Sequence, residues 1–155
     1  MGGLVERAAL AAELELLRAS ESAPRVVLAN GCFDLLHVGH VRYLEDAASC
    51  GDLLVVALNT DESITRLKGE GRPVVTLADR AEVIGALACV DRVTAFDEDT
   101  LEETLRALHP SVHAKGTDYT SETIPERHVD SELGIEIAIC GDPKTRSSTD
   151  LLERA

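Results

Sequence analysis

Five short apolar runs punctuate the chain, at 26–29, 53–58, 92–95, 112–114 and 135–139. Stretches with the 3.6-residue spacing of helices separate them, at 43–49, 79–88 and 101–108, with a last one at 149–154. An amphipathic helix is expected ahead of them, over 4–18. The runs V-V-L-A and L-L-V-V-A-L do not alternate with polar residues, which is the pattern of strands buried on both faces. Strand alternating with helix predicts an α/β domain, a parallel five-stranded sheet with helices on both faces. Ligands of such sheets lie outside the carboxyl ends of the strands, near the point where strand order reverses. The segments 30–40, 59–61, 115–119 and 141–149 each follow an apolar run and so share that edge. No repeat, low-complexity tract or linker divides the chain, and the reading is a helical extension over 1–24 and one domain over 25–155.

Length and charge narrow the function. A chain of 155 residues buries on the order of 70% of its unfolded surface and needs no staples. Cys32, Cys50, Cys89 and Cys140 are widely spaced, as reduced thiols of a cytoplasmic protein are. The N-terminal stretch carries Glu6, Arg7, Glu13 and Glu15, which no signal peptide would, so a soluble protein without membrane contact is expected. A net charge of −13 argues against a nucleic-acid partner, which requires a basic footprint. A small polyanion needs only local positive charge. Lys68, Lys115 and Lys144 are the chain's three lysines, and each is expected in a loop beyond a strand.

The densest chemistry is G-C-F-D-L-L-H-V-G-H, residues 31–40, directly after the first apolar run. Gly31 permits a bend, and the helical pattern that follows places His37 and His40 at a helix N-terminus, where free N–H groups favour anions. Three apart, the imidazoles lean the same way and converge on one ligand, and Gly39 removes a side chain between them. Three readings stand at this point: a phosphate site, a cap with a surface histidine, and a zinc pair. The last needs further ligands, and no C-x-x-C or H-E-x-x-H supplies them. The Rossmann dinucleotide fingerprint G-x-G-x-x-G, the Walker A loop and the G-x-S-x-G elbow are all absent from the sequence.

Seven segments in order, G-C-F-D-L-L-H-V-G-H, L-N-T-D-E-S, R-L-K-G-E-G-R-P, A-L-A-C-V-D-R-V, F-D-E-D-T, A-K-G-T-D-Y and R-S-S-T-D-L-L, resemble the nucleotidyltransferases marked by H-x-G-H, in their cytidylyltransferase-like branch. R-L-K-G with its following R-P, and K-G-x-D-Y, look most like the D-glycero-β-D-manno-heptose 1-phosphate adenylyltransferases; the glycerol-3-phosphate cytidylyltransferases are the next nearest. The resemblance implies a single-domain Rossmann-like fold and transfer of a nucleoside monophosphate from ATP to a sugar 1-phosphate, with pyrophosphate released. The alternatives are CTP with a polyol phosphate, and a nucleotide-binding module without catalysis.

The resemblance also distributes roles. His37, His40 and Lys68 would be catalytic. The nucleotide would be held by Gly31, Cys32, Phe33, His37, Gly39, His40, by Lys115, Gly116 and Asp118, and by Ser147, Ser148 and Thr149 under the β/γ-phosphates. Asp34, Asn59, Arg80 and Tyr119 would meet the substrate, although Asp34 is better suited to orienting its turn and Arg80 reads equally as a solvated first turn of a helix. Mg²⁺ would bridge the phosphates with little protein coordination, so no metal-ligand set is expected. Two segments depart from the family pattern. D-P-K-T-R at 142–146 offers Lys144 or Arg146 in place of an earlier arginine, and T-S-E-T-I-P-E-R-H-V-D places Arg127 and His128 where a different acceptor would be contacted. A homodimer is expected, with the N-terminal helix packing on the partner.

Overall fold

A computed structural model describes residues 3–142. Its element order is α1 (Arg7–Arg18), β1 (Val26–Gly31), α2 (Val38–Ala48), β2 (Leu53–Asn59), α3 (Asp61–Lys68), α4 (Leu77–Gly85), β3 (Arg92–Phe96), α5 (Glu102–Leu108), β4 (Val112–Gly116), α6 (Arg127–Leu133) and β5 (Glu136–Cys140). All five strands are parallel, in the order β3-β2-β1-β4-β5. The chain winds outward from β1 to β3, then returns across the sheet to β4. The reversal therefore falls between β1 and β4, and the crevice beyond their carboxyl ends is where a ligand site is expected.

Alternate residues of each strand feed opposite cores, as the period of two demands. Val27, Ala29 and Val56 pack with Leu44 of α2 and Ile84 of α4 on one face. Leu28, Val55 and Ala57 pack with Leu10 and Leu14 of α1, Leu105 of α5 and Val129 of α6 on the other. The N-terminal helix expected as an extension thus covers one sheet face of this same chain. Leu4 bridges to Val93, and Arg92 of β3 is paired with Glu13 of α1 at 2.6 Å.

Two helices were not foreseen. α3 carries ordinary boundary signals: Thr60 accepts from the Ser63 N–H, Asp61 and Glu62 occupy the first turn, Arg66 and Lys68 the last, and Gly69 follows at φ 94°. Its apolar content is too low to register as a periodic run. α6 is seven residues long and ends at Gly134, φ 69°. It is tied to β4 by His113, whose Nδ1 lies 2.9 Å from the Asp130 carboxylate, both side chains enclosed. Removing one partner of such a buried hydrogen bond costs about 1–3 kcal/mol. The helix expected at 149–154 lies outside the described residues. Leu10, fully buried under the sheet, tests whether α1 is integral: Leu10→Ala should lose about 2–5 kcal/mol in urea unfolding, and a loss below about 1 kcal/mol would mark α1 as separable.

Candidate active site

β1 ends at Gly31, and two residues on Phe33 takes a left-handed backbone, φ 48°. That conformation costs a non-glycine residue roughly 1 kcal/mol or more. It aims the ring edge-on at His40, centroids 5.0 Å apart, and parallel to Tyr43 at 6.4 Å. A Cβ on Gly31 would stand 2.9 Å from Phe33 Cε2, so only glycine admits this packing. The Tyr43 hydroxyl donates to the Ala114 carbonyl at 2.7 Å, tying α2 to β4 across the crevice, and burial pushes its pKa well above that of an ordinary tyrosine.

His37 is the N-cap of α2. Its Nδ1 accepts the Gly39 N–H at 3.1 Å, while the His37 N–H donates to Nδ1 of His40 at 3.2 Å, a reciprocal capping arrangement. With both Nδ1 atoms accepting, each neutral ring carries its proton on Nε2 and presents it as a donor. The rings stack at 3.8 Å with 27° between their planes. A Cβ at residue 39 would lie 2.9 Å from His37 Cε1, which makes Gly39 a condition of the stacking. Capping, one of the alternatives in the sequence, uses Nδ1 of both rings. Among the described residues no group of three metal-ligating side chains forms, so the zinc reading finds no ligand set.

The two imidazoles line a cleft of about 500 Å³ at the carboxyl edge of the sheet. Gly31, Cys32, Phe33 and Lys68 contribute to it beside them, as does Asn59 at the end of β2. Lys115, Gly116, Asp118 and Tyr119 come from β4 and the loop beyond it. Most of the sequence-predicted residues are therefore brought together. The lysines, however, are not in loops: Lys68 closes α3 and Lys115 lies within β4. Lys115 is only 8% exposed, with Nζ 4.4 Å from the Tyr119 ring centroid. Burial lowers its pKa, opposed by the charges of Glu126, Asp130 and Asp118.

Two assignments need correcting. Arg80 is 1% exposed, neither solvated nor part of the cleft wall. Its guanidinium donates to the carbonyls of Val75, Cys32 and Asn59 at 3.0, 2.8 and 2.9 Å and pairs with Asp61 at 2.7 Å. It clamps the ends of β1 and β2 to the heads of α3 and α4. Asp34 also lies off the cleft wall, 2% exposed, accepting from the N–H groups of Val74 and Val75 at 2.9 and 2.8 Å and from Arg72 Nε at 2.8 Å. It pins the loop that follows Lys68, which is the orienting role. Both residues point inward because unpaired carbonyls and N–H groups at the strand ends and in the loop need partners.

Other residues of the cleft were given no role in the sequence: Phe96 and Leu101, together with Asn30, Pro125 and Glu126, which lie in segments that were singled out. Arg127 and His128, which the departing segment suggested, are exposed, and His128 pairs with Glu102 at 3.1 Å. The cleft takes Pro125 and Glu126 from that segment instead. Ser147, Ser148 and Thr149, with Lys144 and Arg146, lie outside the described residues.

Burial acts to raise the Asp34 pKa, but hydrogen bonds from Val75, Val74 and Arg72 together hold it below the ordinary value. A depressed folded pKa contributes stability above the unfolded value near 3.9, lost as pH falls through the folded value. The unfolding free-energy gap between wild type and Asp34→Asn should accordingly be full above about pH 5 and close below about pH 4. A gap that is constant from acid to neutral pH in urea titrations would contradict this account.

A family model described as cytidylyltransferase-like matches residues 28–151. The bifunctional protein HldE of Geobacter sulfurreducens is 48% identical over 130 residues, 84% of this chain and 26% of that protein. Its counterpart in Streptomyces coelicolor is 52% identical over 130 residues, 84% of this chain and 28% of that one. The chain thus spans about a quarter of the length of these curated relatives. Among solved structures, the lipopolysaccharide core biosynthesis protein from Thermoplasma volcanium GSS1 superposes with a TM-score of 0.66 at 28% identity, covering 78% of this chain and 99% of that one.

Proposed function

The chain belongs to the cytidylyltransferase-like family of nucleotidyltransferases, and from that membership we propose that it transfers AMP from ATP to a sugar 1-phosphate, of a heptose in particular. The carrying observation is the stacked histidine pair, whose Nδ1 atoms both accept N–H groups at the start of α2 and whose rings line a cleft with two lysines. An acceptor phosphate oxygen attacks the α-phosphorus; the new O–P bond forms as the bond to the β-phosphate oxygen breaks, and pyrophosphate leaves. His37 and His40 donate to the oxygens on which charge builds. One such preorganised donor is worth about 3–4 kcal/mol. Lys68 balances charge on the transferring group, and Lys115 holds the acceptor phosphate. Ser147, Ser148 and Thr149 are assigned the β/γ-phosphates on sequence alone, by the logic of anion sites at helix starts.

Mg²⁺ enters this reading with the nucleotide. The cleft presents imidazole and ammonium donors, and among the described residues no cluster of three metal-ligating side chains forms, so phosphate oxygens and water would hold the ion. Bound there, it would neutralise phosphate charge. No described helix is long and apolar enough to cross a membrane. The same reading assigns the protein to the cytoplasm, where substrates of this class would be met.

Incubation with ATP, Mg²⁺ and D-glycero-β-D-manno-heptose 1-phosphate should release pyrophosphate, and His40→Ala should lower that rate tenfold to a thousandfold with the native circular dichroism spectrum preserved. Preference for CTP with glycerol 3-phosphate would replace the donor and acceptor named here. Nucleotide binding without turnover across the panel would instead leave a binding module. The homodimer belongs to the same reading, with Leu16 on the outer side of α1 being 76% exposed. Light scattering should give twice the mass of 16.6 kDa; a strict monomer would remove it.

A further inference from the structure

Among the described residues, two hydrogen-bond acceptors in the cleft have no partner: Oε1 of Glu126 and Oδ1 of Asn30, both buried. Glu126 is 4% exposed, and its other oxygen accepts the Leu101 N–H at 3.1 Å, at the head of α5. Leaving a buried polar atom unsatisfied costs about 1–3 kcal/mol, and more for a charged group. An ionised carboxylate only accepts. The group that completes Glu126 must therefore donate, and an ionised phosphate oxygen cannot.

Strand register puts a cation in the same place. Ala29 of β1 pairs with Ala114 of β4, and both belong to the core under α2 and α4. The next residues, Asn30 and Lys115, consequently face the other side of the sheet as neighbours. Glu126 approaches that side from the start of α6, and its charge counters the effect of burial on the Lys115 pKa. This corner asks one molecule for two things, a negative charge for Lys115 and hydroxyl donors for Glu126 and Asn30. A nucleoside triphosphate brings the charge with few hydroxyls; a sugar phosphate brings both within a few bonds.

We propose that Glu126, assisted by Asn30, reads the hydroxyl groups of the acceptor while Lys115 holds its phosphate, so that the cleft selects a polyhydroxylated phosphate ester over an alkyl phosphate of equal charge. The term acceptor rests on the nucleotidyl-transfer reading; the selection itself does not. The amino group of a nucleotide base is the competing donor, and the experiment separates the two.

The full chain is titrated calorimetrically with D-mannose 1-phosphate, with propyl phosphate and with ATP. Wild type should bind the sugar phosphate at least tenfold more tightly than propyl phosphate. Glu126→Gln keeps an oxygen for the Leu101 N–H and should cut that preference below threefold, with ATP affinity within twofold of wild type. Asn30→Ala should reduce the preference at least threefold, which keeps the question decidable if the Glu126 variant does not fold. Equal wild-type affinity for the two esters, no binding of either, or an unchanged preference in the variants would overturn the proposal. A Glu126→Gln protein that loses ATP instead would assign the carboxylate to the base. Selective ester binding without pyrophosphate release would leave Glu126 in this role and remove the transfer reaction.

Discussion

The cleft exists because β1 is paired on both edges, to β2 on one side and β4 on the other, while the chain leaves it in one direction and returns from the other. Parallel pairing forces every strand to end at the same edge, and the reversal of winding there leaves no connection crossing between β1 and β4. The loop after β1 and the end of β4 therefore face each other across a gap. Everything else in the site is a device for holding side chains at its rim. Tyr43 spans it from α2 to the Ala114 carbonyl, and Arg80 closes the neighbouring strand ends from below by taking the Cys32 and Asn59 carbonyls. Asp34 anchors the chain beyond Lys68 to the same turn.

On that frame the histidine pair serves structure and chemistry with different atoms. Helix starts leave N–H groups without partners, and in α2 both imidazoles contribute an Nδ1 acceptor to that need. A neutral imidazole that accepts at Nδ1 carries its proton on Nε2. Phe33, held at positive φ, keeps the His40 ring from rotating. The opposite rim is built on other principles: an ammonium pressed against the Tyr119 ring, and a carboxylate with one oxygen used by the fold and one left over. Imidazoles on one wall and a carboxylate beside a cation on the other give the cleft its polarity.

Five apolar runs were enough to place five strands, most plainly β1 and β2, whose residues are buried on both faces of the sheet and leave an uninterrupted apolar pattern. The H-x-G-H run was legible for a related reason: its spacing is local, and a local spacing becomes a helix-start geometry with little help from the rest of the chain. α3 escaped the periodicity reading because short helices are defined by their ends more than by an apolar stripe, although Thr60, the acidic first turn and Gly69 do carry that signal. Arg80 was misplaced because a helix pattern shows which residues repeat, not that unpaired strand-end carbonyls lie within reach of its guanidinium. The segment holding Glu126 was singled out as a departure, but the residue itself was passed over for Arg127 and His128, since an acid in a polar segment looks like surface until α6 is laid against α5.

The sequence by itself therefore determined the architecture, the edge of the sheet at which the cleft opens and the pair of imidazoles that lines it, since each follows from interactions within about ten residues or from a burial pattern along one strand. Tertiary structure alone decided the rest: that α1 is part of the core, that Asp34 and Arg80 face inward, and that Asn30, Lys115 and Glu126 form one corner. These depend on which strands are neighbours. A parallel sheet joins segments that are distant along the chain, and no local pattern records the partner that a buried polar atom will find.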